Sequence, residues 1–224
     1  NIKVLLAGRP NGFPKESDFE IVESEIPKVE EGHVLIRMEY LSLDPYMRGR
    51  MNDVKSYAPS VNIGDVMVGG TVGQVVESRS PLFSVGERVE GRLGWQSYAL
   101  SNGIGLRRIN PALAPIQTSI GILGMPGLTA YFGFLDVCEP VPGDTVVVSA
   151  ASGAVGQVVG QIAKIMGCRV VGTAGTEEKV RFIVDELGFD VGINYKEENV
   201  GIALDAACPN GIDIYFDNVG GFVS

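Results

Sequence analysis

Thr145-Val146-Val147-Val148-Ser149-Ala150-Ala151-Ser152-Gly153-Ala154-Val155-Gly156 is the stretch that decides the fold. A β-branched run reads as a buried strand, Thr145 to Ala150. Ala150, Gly153 and Gly156 then spell A-x-x-G-x-x-G ahead of a helix-length segment, Ala154 to Met166, that contains Gly160. Small residues at those positions permit a sharp strand-to-helix turn, let backbone approach a pyrophosphate, and let the helix pack on the sheet. A glycine triplet alone is weak. Its place after a strand and before a helix makes dinucleotide binding the expectation, with mere close packing as the competing reading.

The rhythm continues downstream. Strands are expected at Arg169–Thr173, Val191–Asn194 and Ile212–Phe216, and helices at Glu177–Leu187 and Asn199–Ala207. Alternation of this kind implies a parallel sheet covered by helices, the doubly wound arrangement. Such a sheet normally has about six strands, so this Rossmann domain is expected to be incomplete where the chain stops at Ser224.

Upstream the pattern is different. Short β-type runs at Val34–Tyr40, Val72–Glu77, Arg88–Arg92 and Ser97–Leu100 are separated by turn residues such as Gly69-Gly70 and Gly86, which suggests a compact β-rich barrel. The changeover lies in the Pro- and Gly-containing stretch from Pro111 to Gly127. The expected division is therefore residues 1–120, β-rich, and 121–224, dinucleotide-binding.

A net charge of −9 argues against nucleic acid or an anionic membrane as partner, since both require clustered Lys and Arg. No apolar run is long enough to span a bilayer, and the start shows no signal-peptide pattern, so a soluble cytoplasmic protein is expected. Cys138, Cys168 and Cys208 are scattered and His33 is the sole histidine, in a turn before a strand. No disulfide framework or zinc site is expected from them.

The end of the second strand bears on cofactor choice. NAD-preferring sites usually place Asp or Glu there to accept from the adenosine ribose, but here Val170-Val171-Gly172-Thr173-Ala174-Gly175-Thr176 carries no acid before Glu177. That leaves room for a 2′-phosphate, and Lys179 can supply a compact positive charge. NADPH is the expected cofactor. Read alone, Lys179 is equally a solvated surface lysine.

Longer strings carry a resemblance. Leu41-Ser42-Leu43-Asp44-Pro45-Tyr46-Met47-Arg48-Gly49-Arg50-Met51, Val68 to Ser78, Gly124 to Tyr131, Ala150 to Gly156, Gly172 to Lys179 and Phe216 to Gly221 occur in this order along essentially the whole chain. Together they resemble the zinc-independent medium-chain dehydrogenases/reductases that include leukotriene B4 dehydrogenases, alkenal double-bond reductases and bacterial curcumin reductases. The resemblance implies an N-terminal GroES-like β-rich domain followed by the Rossmann domain. It also implies that Gly153, Ala154, Val155 and Gly156 wrap a pyrophosphate, that Lys179 and Tyr195 meet the 2′-phosphate side of NADPH, and that Asn218 contacts the cofactor near a strand end. Met125 and Thr129 would lie beside the nicotinamide, and Tyr46 would line the substrate pocket. Read by themselves, Tyr195 is a strand-end aromatic, Asn218 a turn former and Tyr46 a packing residue.

The family continues past Ser224 for about a hundred residues, which would hold its catalytic tyrosine and a loop over the nicotinamide. The activity implied is NADPH-dependent reduction of the carbon–carbon double bond of enones and enals by a protein that is a homodimer when full length. Quinone reduction and non-catalytic nucleotide binding are the competing expectations.

Overall fold

The structure is a computed structural model that describes residues 1–220. It divides into two compact units, Asn1–Ile120 and Gly121–Ser224.

In the first unit, β1 (Ile2–Leu6) and β2 (Phe19–Glu23) form an antiparallel ribbon. After them come β3 (Val34–Leu41), a short helix α1 (Tyr46–Arg50), β4 (Thr71–Ser78), β5 (Arg88–Gly91), β6 (Tyr98–Ser101) and β7 (Arg107–Ile109). The last five strands make one antiparallel sheet in the order β6-β3-β4-β5-β7. Val34, Ile36, Val75, Phe83 and Val89 form its core. The ribbon is linked onward by isolated bridges at Lys3–Gln96 and Leu5–Val66, so the expected barrel is assembled from two sheets instead of one continuous ladder. A second core of Leu6, Met47, Met51, Val61 and Met67 seats α1, against which Tyr46 packs half-buried.

The second unit opens with α2 (Met125–Phe132), which runs on through a wider π-helical turn at Gly133–Val137. There follow β8 (Thr145–Val148), α3 (Gly156–Ile165), β9 (Arg169–Ala174), α4 (Glu177–Arg181), β10 (Val191–Asn194), α5 (Val200–Ala207) and β11 (Ile214–Phe216). The strands are parallel in the order β10-β9-β8-β11. All four β8 residues are buried, as their unbroken β-branched run predicts for a strand covered on both faces. Val146 and Val148 pack with Phe134, Val159, Ala163 and Ile183, while Val147 faces Val171, Ile193, Ala207 and Cys208. The strand order reverses direction between β8 and β11, and the carboxyl ends of strands at such a switch point are where doubly wound sheets hold ligands.

Several expected boundaries move. β8 stops at Val148 because Ala150 turns into the left-handed region, φ 45°, and α3 starts two residues later than expected for the same reason. The helix expected over Glu177–Leu187 is α-helical only to Arg181 and then widens through Phe182–Glu186, which lets Ile183 enter the core. Strands β1, β2 and β7 and helices α1 and α2 are additional. Cys168 and Cys208 are buried, and Cys138 is half-buried. His33 is half-buried too, with Nδ1 3.1 Å from the Glu31 carbonyl.

Candidate functional site

The turn after β8 is built around one carbonyl. With Ala150 in the left-handed region, its oxygen accepts from the Gly153 amide at 2.8 Å. A Cβ on Gly153 would stand 3.0 Å from that oxygen, and a Cβ on Gly156 would stand 2.4 Å from it and 2.9 Å from Ala151 Cα. Gly160 has a third role: a Cβ there would fall 1.9 Å from the Phe189 ring. The fingerprint glycines therefore first let the loop close on itself and then let α3 lie down on the sheet. Ala151 N donates to Thr173 O at 2.9 Å, which ties the loop to β9.

A cleft of about 500 Å³ opens over this loop at the carboxyl ends of the strands. Gly153 and Ser152 form its floor, Thr173 to Thr176 one wall, Val219 and Gly220 another, and Lys179, Tyr195 and Lys196 its rim. No carboxylate stands at the end of β9. Gly175 takes that place, and a Cβ on it would be 2.8 Å from the Tyr195 hydroxyl. Thr176 caps α4, its Oγ1 accepting from Lys179 N at 3.3 Å, which fixes the backbone that carries Lys179.

The wall from β11 is held by a link that spans most of the unit. Buried Ser149 donates from Oγ to Asp217 at 2.8 Å and accepts from Asn218 N at 2.7 Å, and Asn218 Nδ2 donates to Ser149 O at 2.9 Å. Asp217 also accepts from the amides of Val219 and Gly220. The turn after β11 is thereby pinned to the end of β8.

The structure thus brings Gly153, Lys179 and Tyr195 to one cleft. Ala154 instead lines an adjacent groove with Gln157 and Gln161, Val155 packs on the core, and Gly156 lies buried at the start of α3. Asn218 uses its carboxamide to hold β8. Met125 and Thr129 are exposed on α2. Tyr46 belongs to the other unit, where burial first, and then the charge of Asp44, raises its hydroxyl above the usual value. Lys196, Thr173 and Ser149 were not singled out from sequence.

Among the described residues, no group of three His, Cys, Asp or Glu side chains could hold a metal ion, and no helix is long and apolar enough to cross a membrane.

Two family profiles cover most of the chain: one described as the N-terminal domain of oxidoreductase over residues 3–109, the other as zinc-binding dehydrogenase over residues 154–223. The chain is 51% identical to the NADPH-dependent curcumin reductase of Escherichia coli (strain K12), covering 100% of itself and 65% of that protein. The chain belongs to the medium-chain dehydrogenase/reductase family. Within this family it is also 49% identical to the NADP(+)-dependent 2-alkenal reductase of Nicotiana tabacum, over 99% of the chain and 66% of that relative. CurA from Vibrio vulnificus, solved in complex with NADPH, superposes with a TM-score of 0.95 at 51% identity, over 100% of this chain and 66% of the other. The chain thus spans just under two thirds of the curated relatives it matches. The family's two-domain architecture, a β-rich unit followed by a dinucleotide-binding sheet, is the one described above.

Proposed function

We propose that the protein is an NADPH-dependent reductase of the carbon–carbon double bond in α,β-unsaturated ketones and aldehydes, working without zinc. One observation carries the choice of NADPH: the cleft over the Gly153 loop ends in Gly175 and Thr176 where an NAD site would place an acid, and Lys179 stands on its rim; similarity to the curcumin and 2-alkenal reductases supports the bond reduced. The cleft fits such a cofactor. Its floor is glycine backbone, and the Thr173 hydroxyl on its wall is buried with no partner among the described residues, an acceptor or donor left for a bound group or water.

In this reading the start of α3 and the Gly153 loop face the pyrophosphate, and Lys179 with Tyr195 takes the 2′-phosphate. Ala154, Val155, Gly156 and Asn218 shape that cradle from behind, and Met125 and Thr129 lie toward the nicotinamide. Residues 1–120 supply the substrate domain, with Tyr46 lining the pocket. Bound there, NADPH supplies hydride to the β-carbon of the substrate. The negative charge that develops on the substrate oxygen calls for a hydrogen-bond donor aimed at it. A tyrosine hydroxyl has that role in the family resemblance. Zinc-free chemistry is supported by a sequence with one histidine and three dispersed cysteines. The family resemblance further supports a cytoplasmic homodimer for the whole protein.

The test is product analysis with 4-deuterated NADPH and an enone. Deuterium at the β-carbon of a saturated ketone is the expected result. An allylic alcohol, a hydroquinone from a quinone panel in its place, or no turnover with tight NADPH binding would overturn it.

A further inference from the structure

The rim of the cleft carries a second ammonium group. Lys196 follows Tyr195 directly after β10, and β10 pairs in register with β9 so that Asn194 stands beside Ala174. This pairing returns the chain over Gly175. A Cβ on Gly175 would lie 2.8 Å from Tyr195 Oη, 3.1 Å from Tyr195 Cζ and 3.3 Å from Lys196 Cε. The phenol and the lysine stem therefore both rest on the space that glycine leaves at this position. The local backbone is fixed as well: Asn194 Oδ1 accepts from Lys196 N, Glu198 Oε1 accepts from Asn194 N, and Ala174 O accepts from Tyr195 N.

Lys179 and Lys196 reach the rim from different elements, and among the described residues neither ammonium group ends in an ion pair or hydrogen bond. Lys164, by contrast, is committed to both oxygens of Asp190. A phosphate monoester loses its second proton near pH 6 and carries close to two negative charges at neutral pH. One lysine offsets only half of that charge.

We infer that Lys196 is the second cation of the 2′-phosphate subsite and that Gly175 is a specificity-determining residue because it lets Tyr195 and Lys196 fold across the end of β9. The inference rests on the NADPH reading above and adds to it a residue and a steric condition. Arginine keeps the positive charge and its guanidinium also pairs with phosphate, so Lys196→Arg retains the effect, whereas Lys196→Ala removes it. Gly175→Ala sets a methyl 2.8 Å from the Tyr195 hydroxyl and 3.3 Å from Lys196 Cε, so it pushes on both groups of the subsite.

The experiment titrates adenosine 2′,5′-bisphosphate and adenosine 5′-phosphate into wild type, Lys179→Ala, Lys196→Ala, Lys196→Arg and Gly175→Ala, with thermal melting of each variant alongside. Lys196→Ala is expected to weaken the bisphosphate roughly 3- to 10-fold, as for an exposed charged contact, with the monophosphate unchanged and Lys196→Arg close to wild type. Gly175→Ala is expected to weaken the bisphosphate as well, and a bisphosphate affinity equal to wild type overturns the role of Gly175. If wild type binds both probes equally, the NADPH reading itself fails. If Lys179→Ala loses the bisphosphate preference while Lys196→Ala keeps it, the NADPH reading stands and this inference is overturned. Equal weakening of both probes by Lys196→Ala also overturns it, since that pattern marks a residue supporting the cleft and not the phosphate.

Discussion

Gly156→Ala sets two known effects against each other. Alanine is the better helix former, and the exchange at an unconstrained helical site gains up to about 1 kcal/mol. Here the new methyl would sit 2.4 Å from Ala150 O and 2.9 Å from Ala151 Cα. Both are backbone atoms, so no rotamer change relieves the contact, and α3 must lift from the end of β8. Overpacking of this kind costs ~1–3 kcal/mol, and the net expectation is a loss of about 1–2 kcal/mol. Urea unfolding should show a lower midpoint with an unchanged slope. Because the turn serves either dinucleotide, NADPH and NADH should weaken by a similar factor. A variant as stable as wild type, or more so, would show that the turn has slack and that the steric account of the fingerprint is wrong.

Gly160→Ala places its methyl 1.9 Å from the ring of buried Phe189 and should cost ~1–3 kcal/mol in the same unfolding assay while leaving the NADPH-to-NADH affinity ratio unchanged. Ser149→Ala strands the Asn218 amide and removes a donor from Asp217, an expected loss of ~1–3 kcal/mol by urea midpoint. For Asp190, burial alone would raise the carboxyl, but hydrogen bonds from Lys164 and the Val170 amide, with the charges of Lys164 and Arg169, bring it below its usual value. A lowered carboxyl contributes stability that is present above its unfolded value, roughly pH 4, and is lost as pH falls through the lowered one. Lys164→Met should therefore flatten part of the acid-side loss when urea midpoints are followed from neutral pH downward.

The β8-turn-α3 core was legible because a fully buried parallel strand is written as an unbroken β-branched run and its turn as small residues at fixed offsets. Helix α2 was not legible, since Pro126 and Gly127 read as breakers. The proline occupies the first turn, where its missing N–H costs nothing, and the glycine is needed because a Cβ there would be 1.7 Å from Ile122 O. In the cleft, Lys179 and Gly153 could be found from motif spacing, and Tyr195 from family resemblance. Lys196 could not, because only the register of β10 on β9 brings it back over Gly175. The Ser149–Asp217 bond joins residues 68 apart through the pairing of β8 with β11, a contact that no local pattern signals. Asn218 shows the same limit from the other side: its motif was visible, but its bond to Ser149 O was not.

The most direct test of the cofactor site is a paired titration of NADPH and NADH into wild type and Lys179→Ala. Wild type is expected to bind NADPH more tightly, and the variant to lose about 1–3 kcal/mol for NADPH alone, as for a hydrogen bond to a charged group that is partly exposed. Equal affinities in wild type, or an equal loss for both cofactors in Lys179→Ala, would contradict that expectation.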